Sequence, residues 1–301
     1  MRILLIVNPA AGRRSRRDVA GETAAILRSG GWEVALRETG WPEATRALAR
    51  EGAAEGFDAV FACGGDGTLS DVIAGLLDTG VPAGIIPAGT GNDFARTLGV
   101  PLDPLAAAES YLRGRAGPLD LLCVDDGRLW AINIMGVGFD ARVARRVNAR
   151  SRITGGLLAY LTGVAAELAA NRPTIVRVTA DGERWEGPVL LVAVANARSY
   201  GAGMMIAPQA EIDDGLLDLV VVEHLSRTSF ALNFPKVMRG THLSLPVVHS
   251  WRASKVIIET DEPSPVLIDG DVKGDTPLTV EVAPARGRIW RPGSRANSEG
   301  G

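Results

Sequence analysis

Cysteine is nearly missing from this 301-residue chain: Cys63 and Cys123 are the only two, and each sits inside an apolar run. A disulfide framework and a cysteine zinc site are therefore not expected, and two buried thiols in a reducing compartment are. Histidine is almost as scarce. His224, His242 and His249 stand apart, with no acid or cysteine pattern around them, which speaks against a hydrolytic triad. No apolar run reaches the roughly 20 residues that a membrane crossing requires. The longest, LLAYLTGVAAELAA at residues 157–170, carries Glu167. Met1 runs straight into a strand-like segment without the basic start, apolar core and cleavage site of a secretory signal, so a cytoplasmic protein is expected, with contact at the inner membrane face left open. A large excess of one charge is lacking too: the formal net charge is −3, which gives no reason to expect a nucleic acid partner.

What is present is an ordinary globular composition, 46% hydrophobic and 22% charged, in a chain long enough for two domains. RILLIVN (residues 2–8) is a continuous apolar run ending in a turn. Val19, Thr23, Ile26 and Leu27 then recur at helical spacing until Gly30 and Gly31. Residues 32–39 alternate as a strand, and Pro42 opens a second helix. DAVFAC (58–63), residues 68–77 and AGIIP (83–87) supply a third strand, a third helix and a fourth strand. This alternation predicts parallel strands joined by crossover helices, a doubly wound α/β nucleotide-binding domain over residues 1–120. Near Pro118 the rhythm changes to short β-rich runs, among them LDLLCV, TIVRVTA, PVLLVAVAN and PVLIDGD, broken by helices at about 139–148 and 156–170. A β-rich sandwich or open barrel is predicted across residues 121–291, with a disordered tail at 292–301.

Glycine-bearing loops follow three strands of the first domain: NPAAG (8–12), GGDGTLS (64–70) and PAGTGND (87–93). Parallel strands place these loops on one edge. Glycine has no Cβ to hold a ligand away, so successive N–H groups can converge on an anion at a helix N-terminus, which suits nucleotide phosphates. Thr68 and Ser70 are candidate caps for the helix after GGDG. Asp66 is the anomaly, because a carboxylate repels phosphate unless a cation stands between them. The GxxxxGK[ST] and GxGxxG patterns are missing, as is the protein-kinase signature set, which disfavours Walker ATPases, dinucleotide dehydrogenases and protein kinases.

NPAAG, GGDGTLSDV, PAGTGNDFAR, DDGLLDLVVV (213–222) and LIDGD (267–271), in this order, resemble the diacylglycerol kinase catalytic-domain family of lipid kinases. That family includes soluble bacterial diacylglycerol kinases and, more distantly, sphingosine and ceramide kinases. The resemblance covers nearly the whole chain. It implies an ATP- and Mg²⁺-dependent transfer of the γ-phosphoryl group to a lipid hydroxyl, most directly diacylglycerol giving phosphatidic acid. It implies ATP contacts at Asn8, Pro9, Ala10, Ala11, Gly12, Arg13, Thr39, Gly64, Gly65, Asp66, Gly67, Thr68, Leu69, Ser70, Thr90 and Asp93. Asp66 and Asp93 would organise Mg²⁺ and the phosphates. A second magnesium ion is implied at the DDG turn, through Asp214 and the carbonyls of Glu211 and Leu216.

The last acid of LIDGD, Asp271, is implied as the general base. Bacterial relatives usually carry glutamate there, one methylene longer, and Asp66 is the second candidate. Read alone, Asp269-Gly270-Asp271 is also an ordinary hairpin turn. Other readings stay open at this point: a different lipid acceptor (sphingoid base, ceramide or phosphatidylglycerol), an NAD-kinase-like enzyme sharing GGDG, or a nucleotide-binding regulator without catalysis. Arg142, Arg145, Arg146 and Arg150 partly share a face beside the apolar 157–170 helix, and that pair is the expected contact with an anionic membrane. A homodimer is a further association considered.

Overall fold

The computed structural model describes residues 1–9, 16–150, 157–170 and 172–293. Ala10, Ala11, Gly12 and Arg13 of the expected ATP contacts, and the tail from residue 294, lie outside the described residues. The chain divides into two compact units, Met1–Leu119 with Ala285–Gly301, and Asp120–Pro284.

The first unit contains β1 (Arg2–Val7), α1 (Arg16–Ser29), β2 (Glu33–Glu38), α2 (Pro42–Ala54), β3 (Ala59–Gly64), α3 (Asp66–Leu76), β4 (Ala83–Pro87), α4 (Asp93–Leu98), α5 (Pro104–Tyr111) and the start of β5 (Arg115–Val124). The second holds the rest of β5, then β6 (Leu129–Ala131), β7 (Ile134–Gly138), α6 (Phe139–Arg150), α7 (Leu157–Ala170), β8 (Thr174–Ala180), β9 (Glu183–Ala195) and β10 (Leu217–Glu223). It continues through α8 (Arg227–Met238), a 3₁₀ turn at His242–Ser244, β11 (Val248–Ala253), β12 (Lys255–Thr260), β13 (Pro265–Ile268) and β14 (Asp271–Asp275). The last strand, β15 (Leu278–Arg291), begins in the second unit and ends in the first.

In the first unit the strands run parallel in the order β2-β1-β3-β4. β1 pairs with β2 on one side and β3 on the other, so the winding reverses between β1 and β3, the place where open α/β sheets bind ligands at the strand C-terminal ends. Ile3 to Val7 of β1 and all of β3 are buried, which accounts for their unbroken apolar sequences. Tyr111 locks α5 onto this sheet, with its ring edge-on to Phe61 at 5.0 Å and its hydroxyl donating to the Ile85 carbonyl at 2.9 Å. The final segment also pairs here, with Ile289 beside Ala83 in parallel with β4.

The second unit is antiparallel, with β14-β13-β7-β9-β8-β12 in order, β10 on β9 and β11 on β10. Its sheet is not closed: β14 pairs only with β13 among the described strands. Val176, Val178, Val192, Val194, Leu219, Val256 and Ile258 form the centre of its core, each on the inward face of an alternating strand.

Three local expectations need correction. Three described arginines of α6 are engaged by carboxylates of their own unit. Arg142 Nε and Arg146 Nε meet the two carboxylate oxygens of Glu167 on α7 at 3.2 and 3.0 Å, and Glu167 is only 7% exposed. Arg145 pairs with Asp275, and the Arg150 side chain lies outside the described residues. These arginines balance charge within the unit rather than presenting it. Second, α8 was not expected, because Pro235 lies inside it and breaks the helical pattern; Ser226 caps it by accepting the Ser229 N–H at 3.2 Å. Third, neither Thr68 nor Ser70 caps α3. Gly65 is the N-cap residue, and both hydroxyls lie inside the helix. Both cysteines are free thiols. Among the described residues no helix is long and apolar enough to cross a membrane.

Candidate active site

At the strand C-terminal edge of the first unit, two glycine loops touch backbone to backbone. A Cβ added to Gly89 would lie 2.4 Å from the Gly65 Cα, so no side chain fits between them. The Gly64 carbonyl accepts the Ala88 N–H at 2.8 Å, continuing the β3–β4 ladder one step into the loops. Asp66 then crosses the gap. Its carboxylate accepts the backbone N–H groups of Asp93 at 3.1 Å and Phe94 at 2.9 Å, the first two residues of α4. That helix needs the help, because its N-cap residue Asn92 is left-handed (φ 54°) and makes no capping bond with its side chain. Asn92 instead exchanges two 3.0 Å bonds with the backbone of Gly89.

Burial pushes the Asp66 carboxyl above its ordinary value, against the two N–H bonds, and the neighbouring Asp93 charge adds to the rise. The Asp66 and Asp93 carboxyl groups therefore interact electrostatically at the joined loops. A cation is the natural third party, and the donor set of hard oxygens suits Mg²⁺.

The remaining expected ATP contacts divide. Asn8 is half-buried and Pro9 exposed at the end of β1. Thr39 ties β2 to β1 through its N–H on the Val7 carbonyl at 2.9 Å, but its hydroxyl is spent on Thr45 and the Trp41 carbonyl. Leu69 is fully buried, so only its backbone is available. Thr68 packs under Gly64, where a Cβ would stand 2.5 Å from the threonine hydroxyl. Gly67 and Thr90 are exposed and Ser70 is half-buried.

In the second unit LIDGD is a two-residue hairpin. Ile268 pairs with Asp271, and the turn residues Asp269 (φ 48°) and Gly270 (φ 94°) are both left-handed, as such a turn demands. The Asp269 carboxylate accepts N–H groups from Ile132 and Asn133 at 2.9 Å each and from Ile134 at 3.3 Å, which pins the hairpin to the segment entering β7. Asp271 is left free of such duty. Its side chain is 73% exposed, with the Lys273 ammonium 3.8 Å away.

The DDG turn gathers acids beyond Asp214, the one that the sequence singled out. Asp214 accepts the Leu216 N–H at 3.0 Å and pairs with Arg252. Asp120, almost 100 residues upstream, accepts the Gly215 N–H at 2.7 Å. Asp218 is buried, one of its carboxylate oxygens has no partner, and burial with the nearby Glu211 charge pushes its carboxyl up to about 6. No three His, Cys, Asp or Glu side chains form a metal cage among the described residues. The implied set here is one carboxylate with two carbonyls, and the orphaned Asp218 oxygen beside it is the kind of group that a cation at this turn would relieve. Asp140, at the start of α6, was missed as well. Burial pushes its carboxyl up to about 6, while the Ala141 N–H at 2.8 Å and the Tyr200 hydroxyl at 3.3 Å hold it.

Glycine loops at the strand C-terminal edge of a parallel sheet, with an antiparallel unit bearing further acids, define a nucleotide-dependent phosphotransferase architecture. Residues 2–124 match the diacylglycerol kinase catalytic domain, and residues 133–290 match the YegS C-terminal NAD kinase beta sandwich-like domain. The chain is 35% identical over 296 residues to a diacylglycerol kinase of Mycobacterium tuberculosis, covering 97% of this chain and 95% of that protein. It is 31% identical over 279 residues to a diacylglycerol kinase of Bacillus subtilis, covering 92% and 91%. A "Probable lipid kinase YegS-like" of Xanthomonas campestris is 33% identical over 299 residues, covering 96% and 95%. A crystal structure from Bacillus anthracis, described as a candidate diacylglycerol kinase, superposes with a TM-score of 0.77 at 26% identity, covering 96% of each chain. The chain belongs to the diacylglycerol kinase family of lipid kinases, and membership implies ATP as the phosphate donor.

Two predictions follow from the geometry. Replacing Gly89 with alanine forces the loops apart at their contact, and calorimetric titration is expected to show nucleotide binding weakened by at least about tenfold, with unchanged affinity contradicting the loop assignment. The Asp140 carboxyl has a folded-state value above its unfolded one, so its ionisation costs stability as pH rises through the interval between them. Asp140→Asn removes that cost, and its stability relative to wild type is expected to improve by about 1–2 kcal/mol between about pH 5 and about pH 8 in urea denaturation. A gap independent of pH would remove the case for a buried ionisation there.

Proposed function

We propose that the chain transfers the γ-phosphoryl group of ATP to a lipid hydroxyl, with diacylglycerol the acceptor and phosphatidic acid the product. The observation that carries this reading is the joined loop pair, Gly64 to Asp66 with Gly89 to Asp93, at the strand C-terminal edge of a parallel sheet. The names of the relatives supply the acceptor class. In this reading the exposed N–H groups of the loops and the start of α3 hold the phosphates. Asp66 and Asp93 would hold Mg²⁺, which would supply charge neutralisation for the phosphoryl group in transfer. Asp214, released from Arg252, would hold a second, structural ion with the carbonyls of Glu211 and Leu216.

Asp271 accepts the proton of the lipid hydroxyl. The hydroxyl oxygen forms a bond to the γ-phosphorus as the bond to the β–γ bridging oxygen breaks, and ADP leaves with that electron pair. Asp271 suits the role better than Asp66, because its carboxylate is exposed whereas both Asp66 oxygens are bonded to backbone N–H groups. A loose transition state demands little of the base, so aspartate in place of glutamate is compatible with turnover.

Incubation with labelled ATP, Mg²⁺ and a panel of diacylglycerol, phosphatidylglycerol, ceramide, a sphingoid base and NAD tests the proposal. Label in phosphatidic acid is expected, and Asp271→Asn is expected to lower its rate by about a hundredfold or more. Full activity of that variant would move the base elsewhere. No labelled lipid despite measurable ATP binding would select a regulator, and labelled NAD a different enzyme.

A further inference from the structure

The helix that the sequence did not announce is the one whose surface lacks a partner. No residue of α8 is fully buried, and it carries three of the largest exposed apolar side chains: Leu232 at 73%, Met238 at 43% and Phe234 at 38%. Ala231 and Pro235 are exposed as well. At about 100° per residue these five positions share one arc of roughly 160°, so the outward face is continuous rather than scattered. Phe234 stacks on Phe230, whose ring centroid lies 5.6 Å away, and this fixes the base of the patch.

Charge on this face has one sign. Arg227 and Arg239 are exposed and Lys236 is half-buried. Residues 224–258 contain no Asp or Glu at all, in a chain whose 35 acids outnumber its 32 Lys and Arg. The contrast with α6 is direct, because Arg142, Arg145 and Arg146 are closed on carboxylates of their own unit. The described contact of Arg227 is with the neutral Ala169 carbonyl, and no carboxylate pairs with it among the described residues. An exposed apolar arc rimmed by cations is the composition of an interfacial helix on an anionic bilayer. A second copy docked through the same face would set its cations against identical cations with no acid to pair them.

We propose that α8 docks the protein on an anionic lipid surface, with Leu232, Phe234 and Met238 entering the acyl boundary and Arg227, Lys236 and Arg239 lying among the headgroup phosphates. The lipid-acceptor reading gives this docking its purpose, but the test does not depend on it. The full chain is sedimented with vesicles of phosphatidylcholine alone or mixed equally with phosphatidylglycerol, without ATP. Binding to the mixed vesicles is expected. Leu232→Gln with Met238→Gln, and separately Lys236→Glu with Arg239→Glu, are each expected to lower the partition by about tenfold or more. Unchanged circular dichroism melting shows that the variants fold.

Equal binding by wild type and both variants would overturn the proposal, as would no binding of wild type to anionic vesicles. If the apolar variant instead converted an oligomer to a monomer in sedimentation velocity and left vesicle binding intact, the face would be an interface between copies, and the proposal would fail. Failure to phosphorylate any lipid would strike the functional reading and leave this result standing.

Discussion

The Asp66 carboxylate is the point on which the nucleotide edge depends. Loops after two adjacent parallel strands have no hydrogen-bond ladder to hold them together once the strands end, and here only one rung, Ala88 to Gly64, continues beyond them. Asp66 replaces the missing rungs with two bonds to Asp93 and Phe94, and the close approach of Gly65 and Gly89 makes those bonds reachable. An acid that looks misplaced in an anion-binding loop is thereby a structural clasp first. Its cost is a carboxyl group held in partial burial beside Asp93, which pushes its pKa above the ordinary carboxylate value.

The second unit repeats the device with different elements. Asp269 spends its carboxylate on three backbone N–H groups more than 130 positions earlier in the chain and so fixes the hairpin, which leaves Asp271 free at its exposed end. At the DDG turn Asp120 does the holding, through the Gly215 N–H, while Asp214 is paired with Arg252 and one Asp218 oxygen is left without a partner. In each motif a carboxylate is spent on backbone N–H groups, a structural duty that the letters alone do not reveal.

Much of this was legible in the sequence, for physical reasons. Unbroken apolar runs such as RILLIVN require strands buried on both faces, and the alternation of such runs with helices specifies a parallel sheet. Glycines at the ends of β3 and β4 marked the two loops that meet at Gly65 and Gly89. What stayed hidden was whatever depends on distant partners. Asp120, Asp140 and Asp218 have no local pattern, and only the fold encloses them. The arginines of α6 looked like a surface face because their partner Glu167 sits on another helix. The helix α8 carries an internal proline and apolar residues on its outward as well as its inward face, so it gave no periodic signal even though its caps are ordinary.

The central claim is that the Asp66 carboxylate joins the two glycine loops, and backbone amide exchange at Asp93 and Phe94 reads it most directly. In wild type both amides are predicted to be protected. In Asp66→Asn, where one carboxylate oxygen is replaced by an N–H donor, their exchange is predicted to quicken by about tenfold or more while the amides of β3 and β4 keep their rates. Unchanged protection at Asp93 and Phe94 in the variant would contradict the account.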